Sequence, residues 1–375
     1  MKLSSRRLPA VIGAAAAIVM MATATAHAAP NDEHPATRTA LKAFQSVAGP
    51  GAAVYAGDNT GAWTLSAGTG TINTTKPIQA DEHFRIGSQT KTFTAATVLQ
   101  LVDEGKVALD TSIDTYLPGT VNGNGYDGTR ITVRHLLQQT SGIAGYDPLV
   151  SFALVEPNGT YNTATLVREG LKRAPVSAPG AGWTYSNTNY LILGMLIEKV
   201  TGLPVHEAVT RRIIEPLGLD RTVFPAPGDR ALPSPAVPGY HGARVGTFYF
   251  WSLAFSYDPS IFSASGAMVS TMEDLSSFYS ALTAGKVVSP ASLAEIEKVR
   301  DLGGGGYGLG ILKMNLSCGG EAWGHNGGVP GYLTQTMVTK DGRHASAMSN
   351  AYLLGTTSTA KLAALVDTAL CENRG

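Results

Sequence analysis

The sequence predicts an α/β protein in which both ends of the chain build one sheet-bearing lobe and a mostly helical lobe is inserted between them. Three observations point there. Strand-like runs lie early, at residues 52–56 and 63–67, and return late, at 307–314, 332–339 and 343–349. Helix and loop fill what lies between, roughly residues 106–265. At 375 residues and 44% hydrophobic content the chain can bury a sizeable interior, enough for two lobes.

Residues 1–28 read as a signal peptide. Lys2, Arg6 and Arg7 make a positive start, residues 8–21 are apolar, and Ala26-His27-Ala28 is a small-residue cleavage site. The apolar run is shorter than the roughly 20 residues that a membrane span needs. No stable membrane anchor is therefore expected, and residues 29–375 are expected to form the secreted, extracellular protein. Arg6-Arg7 also fits the twin-arginine export route.

Residues 30–35 show no regular pattern. A short amphipathic helix is expected over 37–47, then a strand pair around the turn Gly57-Asp58-Asn59 and a third extended piece at 84–86. Residues 88–104 follow as helix, with Phe93, Ala96, Leu99 and Val102 near helical spacing and Gly105 where a terminating glycine belongs. Further helices are expected at 133–139 and 191–201, the second ended by Gly202-Leu203-Pro204. Residues 222–265 are rich in proline, glycine and aromatics and show no regular element. Helices return at 272–282 and 290–299, and Lys340-Asp341-Gly342 marks a hairpin turn between the last two strands. A final helix runs to residue 370, with Ser358 as its N-cap.

Charge excludes some functions. Lys plus Arg and Asp plus Glu number 28 each, and charged residues make up 15% of the chain, so there is no basic surplus for a nucleic-acid partner. The two cysteines, Cys318 and Cys371, are expected to pair as a disulfide in an exported chain rather than stay free. Two distant cysteines and eight histidines without an H-E-x-x-H motif give no metal site, and no cofactor is expected. Gly123-Asn124-Gly125-Tyr126-Asp127-Gly128 fits G-x-G-x-x-G by letter, but no strand precedes it and no good helix follows. There is no G-x-S-x-G elbow.

The chemistry begins at Ser88. Lys91 follows three residues later, so both side chains share one helical face. A serine hydroxyl needs a neighbouring base, and a lysine serves if burial or nearby positive charge lowers its pKa. The helix N-terminus would favour negative charge on the serine oxygen. S-x-x-K alone says little, because Ser358-Thr359-Ala360-Lys361 matches it too. A second element is Tyr185-Ser186-Asn187, just before a strong helix. Its tyrosine can relay a proton and its asparagine can bond a substrate amide; a packed loop tyrosine and a helix cap are the plainer reading. Third comes His325-Asn326-Gly327-Gly328, a small-residue strand that lets a substrate backbone approach, or simply a glycine-rich turn.

These three elements, in this order, make the chain resemble the penicillin-recognising serine enzymes, chiefly secreted D-alanyl-D-alanine carboxypeptidases and class C β-lactamases, with their S-x-x-K, Y-x-N and [KH]-x-G motifs. Residues 84–88, 99–106, 185–190 and 308–310 agree as well, and the resemblance covers nearly the whole mature chain. It implies an antiparallel sheet flanked by helices, with Ser88 acylated, Lys91 assisting its deprotonation and Tyr185 delivering the proton to the departing amine. Asn187 and the strand residues Asn326, Gly327 and Gly328 would bind substrate. His325 would polarise the site near Tyr185, and the N–H groups of Ser88 and Gly328 would form the oxyanion hole. The implied partners are a small peptide or cell-wall-type substrate and β-lactams as acylating inhibitors. D-alanyl-D-alanine carboxypeptidase is the leading activity implied; a D-peptidase, amidase or esterase, a β-lactamase, and a non-enzymatic penicillin sensor are the alternatives. One departure stands out: Leu312 takes the place of an arginine that receives the substrate's terminal carboxylate in the carboxypeptidases. Lys313 faces the other side of the strand, and Pro330 replaces a polar residue.

Overall fold

The computed structural model describes residues 34–146, 151–245, 248–353 and 356–372. The predicted signal peptide lies outside the described residues. From His34 onward they form one compact unit.

Its frame is an eight-stranded antiparallel sheet: β1 Gly51–Asp58, β2 Gly61–Gly68, β3 Arg300–Asp301, β4 Gly305–Tyr307, β5 Leu312–Asn315, β6 Glu321–Val329, β7 Tyr332–Val338 and β8 His344–Ser349, in the order β2-β1-β8-β7-β6-β5-β4-β3. The β1–β8 pairing, with Ala52 opposite Ser349 and Val54 opposite Ala347, is where the two ends of the chain meet. Every β1 position from Gly51 to Val54 is buried, because both faces of the sheet are covered. The helices Pro35–Ala48 and Thr356–Cys371 pack on one face, where Leu41, Phe44, Leu362, Leu365 and Val366 meet Val54, Leu333 and Met337. The helix Met272–Thr283 covers the other face. On that side a larger core runs into the helical region formed by Thr90–Asp103, Val133–Leu137, Thr163–Leu171 and Asn187–Thr201.

The helix Thr90–Asp103 is buried on nearly every side from Thr90 to Leu99. Such a helix is the central post of a fold rather than a surface element, and it holds whatever stands at its N-terminus in a fixed place.

Three expectations are corrected. The run 307–314 is not one strand: β4 ends at Tyr307 and β5 starts at Leu312, with a turn at residues 308–311. Gly310 causes the break, since its φ is +77° and a β-carbon there would lie 2.4 Å from Ala95. The segment read as irregular contains the hairpin Tyr240–Val245 and Phe248–Leu253. Phe250 and Leu253 stand in solvent at 63% and 68% exposure, so the in–out alternation that betrays a strand is missing. Ser358 lies inside the last helix, which starts by Thr356, and its hydroxyl donates to the Leu353 carbonyl at 3.3 Å. Cys318 and Cys371 are bridged, with a sequence separation of 53 residues.

Candidate active site

Ser88 occupies a single 3-10 turn, Gly87–Gln89, that leads into the Thr90–Asp103 helix. The chain reaches this turn from Phe84–Arg85, which pairs with Val269–Ser270. Gly87 has φ +56°, and a β-carbon there would sit 2.9 Å from the Gly328 nitrogen. Glycine at 87 thus allows the serine turn and the β6 backbone to come together.

Lys91 is wholly buried beneath Ser88. Its Nζ lies 3.2 Å from Ser88 Oγ, 2.7 Å from Asn187 Oδ1 and 2.6 Å from the Ser265 carbonyl oxygen. Burial lowers its pKa well below the ordinary lysine value. A neutral amine has two N–H donors and one lone pair. The amide oxygen of Asn187 and the carbonyl of Ser265 can only accept, so they take both donors and leave the lone pair toward the Ser88 hydroxyl. That is the arrangement a base requires.

Tyr185 lies across from this pair, with its ring centre 4.9 Å from Lys91 Nζ. Although 37% of the residue opens to the cleft, the cleft walls crowd its hydroxyl. Burial, then the neighbouring Tyr307, raise its pKa well above the usual tyrosine value, against a hydrogen bond with Ser88 that pulls it down. The phenol is therefore protonated at neutral pH. Asn187 is the first residue of the Asn187–Thr201 helix, set by the extended Ser186 before it.

His325 is fully buried on β6. Its Nδ1 is 2.6 Å from the Asn326 carbonyl, which only accepts, so Nδ1 carries the hydrogen. Nε2 is left to accept from the Tyr307 hydroxyl at 3.2 Å. Burial pushes its pKa down to about 3. The imidazole is neutral with both nitrogens engaged, and its ring centre is 6.4 Å from that of Tyr185. Any influence on Tyr185 comes from a dipole and a packed ring, not from a cation.

The three motifs converge on one cleft of about 370 Å³ lined by Ser88, Tyr185, Asn187, His325, Asn326, Gly327 and Gly328, with Lys91 just beneath. The spare S-x-x-K at Ser358–Lys361 and the turn at Lys340 contribute neither a nucleophile nor a base to it; Thr359 alone reaches its wall. A wider cleft of about 470 Å³, bordered by Tyr126, Arg130 and Pro175, holds no paired nucleophile and base. Sequence reasoning missed Trp183, Tyr307, Leu333, Tyr352 and Thr359 as lining residues and the Ser265 carbonyl as a partner of Lys91. Tyr307 alone had a local signal, its place in the Gly-Tyr-Gly-Leu-Gly segment. Leu312 lines the cleft, whereas Lys313 points away and pairs with Glu321 at 2.8 Å. Among the described residues no group of three His, Cys, Asp or Glu side chains is placed to hold a metal.

The family model described as Beta-lactamase matches residues 38–364. The chain belongs to the beta-lactamase family. It is a serine hydrolase of the superfamily that includes the penicillin-binding proteins. Among solved structures it is similar to a D-stereospecific amidohydrolase from Streptomyces sp., 39% identical over 88% of this chain and 98% of that one, with a TM-score of 0.78. A D-amino acid amidase from Ochrobactrum anthropi SV3 shares the fold, at 23% identity over 89% and 97% of the two chains and a TM-score of 0.77. Esterase EstB of Burkholderia gladioli is 30% identical over 64% of this chain and 69% of its own length. The putative penicillin-binding protein PbpX of Bacillus subtilis is 29% identical over 69% of this chain, which spans 60% of that protein's length.

Proposed function

We propose that this protein hydrolyses amides and esters of D-configured amino acids or short peptides through an acyl-enzyme on Ser88, without requiring a free terminal carboxylate. The observation that carries the reading is a cleft whose lining, among the described residues, includes no charged side chain. Leu312 stands where a carboxypeptidase would present its arginine, and His325 is neutral. A substrate carboxylate would meet the Leu312 side of the cleft with no cation among the described residues to receive it. The likeness to a D-stereospecific amidohydrolase supports D-configuration.

In the first step the Ser88 proton passes to the Lys91 lone pair while Oγ bonds to the substrate carbonyl carbon. The N–H groups of Ser88 and Gly328 receive the oxyanion, each worth roughly 3 kcal/mol of transition-state stabilisation. Collapse breaks the bond to the leaving group, which takes a proton from the Tyr185 hydroxyl; Lys91 returns its extra proton to Tyr185. Water then attacks the Ser88 ester, its proton passes back through the same pair to Ser88 Oγ, and the acid departs. Asn187 fixes the amine of Lys91 and the substrate amide. β-Lactams, being strained cyclic amides, acylate Ser88 by the same route. Residues 1–28 and the Cys318–Cys371 bridge support action outside the cytoplasm.

The test compares D-phenylalanine amide with its L-enantiomer, and a peptide ending in D-Ala-D-Ala with its C-terminal amide. The reading expects the D-amide to be cleaved and the amidated peptide to be cleaved at least as well as the acid. Strong preference for the free acid would restore the carboxypeptidase reading.

A further inference from the structure

Resting on the assignment of Ser88 as nucleophile, we propose that Tyr352 is a specificity-determining residue that closes the cleft over Gly328 and sorts substrates by the bulk of the acyl group. The argument begins two residues earlier, at Asn350, which is fully buried. Its side-chain oxygen accepts from the Gly51 N–H at 2.8 Å, and its amide nitrogen donates to the carbonyls of Thr69 and Gly70, both at 3.1 Å. Its own N–H donates to the Gly51 carbonyl at 3.2 Å, and its carbonyl accepts from the Tyr240 N–H at 2.8 Å. Every polar group of Asn350 is therefore engaged, and five hydrogen bonds hold the chain leaving β8 to Gly51 of β1, to residues 69 and 70 beyond β2, and to residue 240. Such a knot fixes the backbone that follows it.

What it fixes is a ring on the catalytic strand. A β-carbon at Gly328 would lie 2.8 Å from Cε1 of Tyr352, so the ring rests directly on the Gly328 backbone. Tyr352 lines the same cleft as Ser88 and is only partly buried. One side of the ring packs against the core cluster that includes Leu333 and Leu362, and the rest faces the cleft. A group attached to a carbonyl whose oxygen lies at Gly328 must pass this ring. Thr359, from the last helix, lines the cleft as well and supplies a second point at which its width can be altered.

The experiment measures kcat/KM for p-nitrophenyl acetate and p-nitrophenyl phenylacetate, with melting temperatures for every protein used. Removing the ring widens the cleft, so Tyr352→Ala should raise the phenylacetate-to-acetate ratio by about tenfold. Tyr352→Phe, which keeps the ring, should hold the wild-type ratio within about twofold. Thr359→Phe should lower the ratio by narrowing the cleft, and it remains informative should Tyr352→Ala fail to fold. An unchanged ratio in Tyr352→Ala or Thr359→Phe overturns the proposal. Failure of the wild type to turn over either ester would instead count against Ser88 chemistry, so the two failures are distinguishable.

Discussion

Replacing Leu312 by arginine should convert the uncharged wall of the cleft into a carboxylate receptor. Leu312 sits on β5 opposite Gly324, is half-buried, and faces the cleft beside Tyr307 and His325. A guanidinium about 4 Å from a carboxylate gains roughly 4 kcal/mol at an effective dielectric constant of about 20. Desolvation of both ions at a half-buried position offsets part of that, leaving about 1.5–3 kcal/mol, the range of hydrogen bonds to charged groups. The expected result is a rise of roughly 10- to 100-fold in kcat/KM for a peptide ending in a free D-Ala carboxylate relative to its amide. The assay is a competition between the two peptides followed by mass spectrometry, with Lys313→Ala as the control, since Lys313 is already paired with Glu321 on the opposite face. An unchanged acid-to-amide ratio in a folded Leu312→Arg protein would refute the idea that this position governs carboxylate recognition.

Lys91→Met should reduce Ser88 acylation by several powers of ten while shifting the melting temperature by only a few degrees, because removing a buried amine offsets the loss of its hydrogen bonds to Asn187 and Ser265; burst kinetics and calorimetry check both halves. The pH profile should follow from the ionisations: Lys91 must be unprotonated to act, so kcat/KM falls as pH drops through its depressed pKa. His325, with a pKa of about 3, adds no step near pH 6.5. An inflection in that range that vanishes in His325→Gln would contradict the neutral assignment. Reducing the Cys318–Cys371 bridge, which closes a loop with a separation of 53 residues, removes about 4 kcal/mol in the chain-entropy model, or about 6 °C in melting temperature for a chain of this size. A scan with dithiothreitol that moves the transition by less than a degree would argue against it.

The motif residues were legible because each lies within one local element. A helical turn places Ser88 and Lys91 together whatever surrounds it, and Tyr185 and Asn187 stand at a helix start that the sequence marks clearly. The meeting of both chain ends in one sheet was legible from where the strand-like runs fall. What escaped depends on contacts between distant segments. The Ser265 carbonyl meets Lys91 across 174 residues of sequence, and its segment has only short turns with no period to detect. Tyr307 on β4 and His325 on β6 are 18 residues apart with β5 between them, and nothing local says that a histidine there is neutral. Its burial decides that, and burial belongs to the fold. Tyr352 follows the last strand and reads as an ordinary aromatic until Gly328 is seen beneath it.

The most direct test of the central claim is the intact mass of the protein after brief exposure to benzylpenicillin, followed by peptide mapping. The account predicts one covalent adduct on the peptide containing Ser88, lost in Ser88→Ala. An adduct elsewhere, an adduct that persists in Ser88→Ala, or no adduct on the wild type would contradict it.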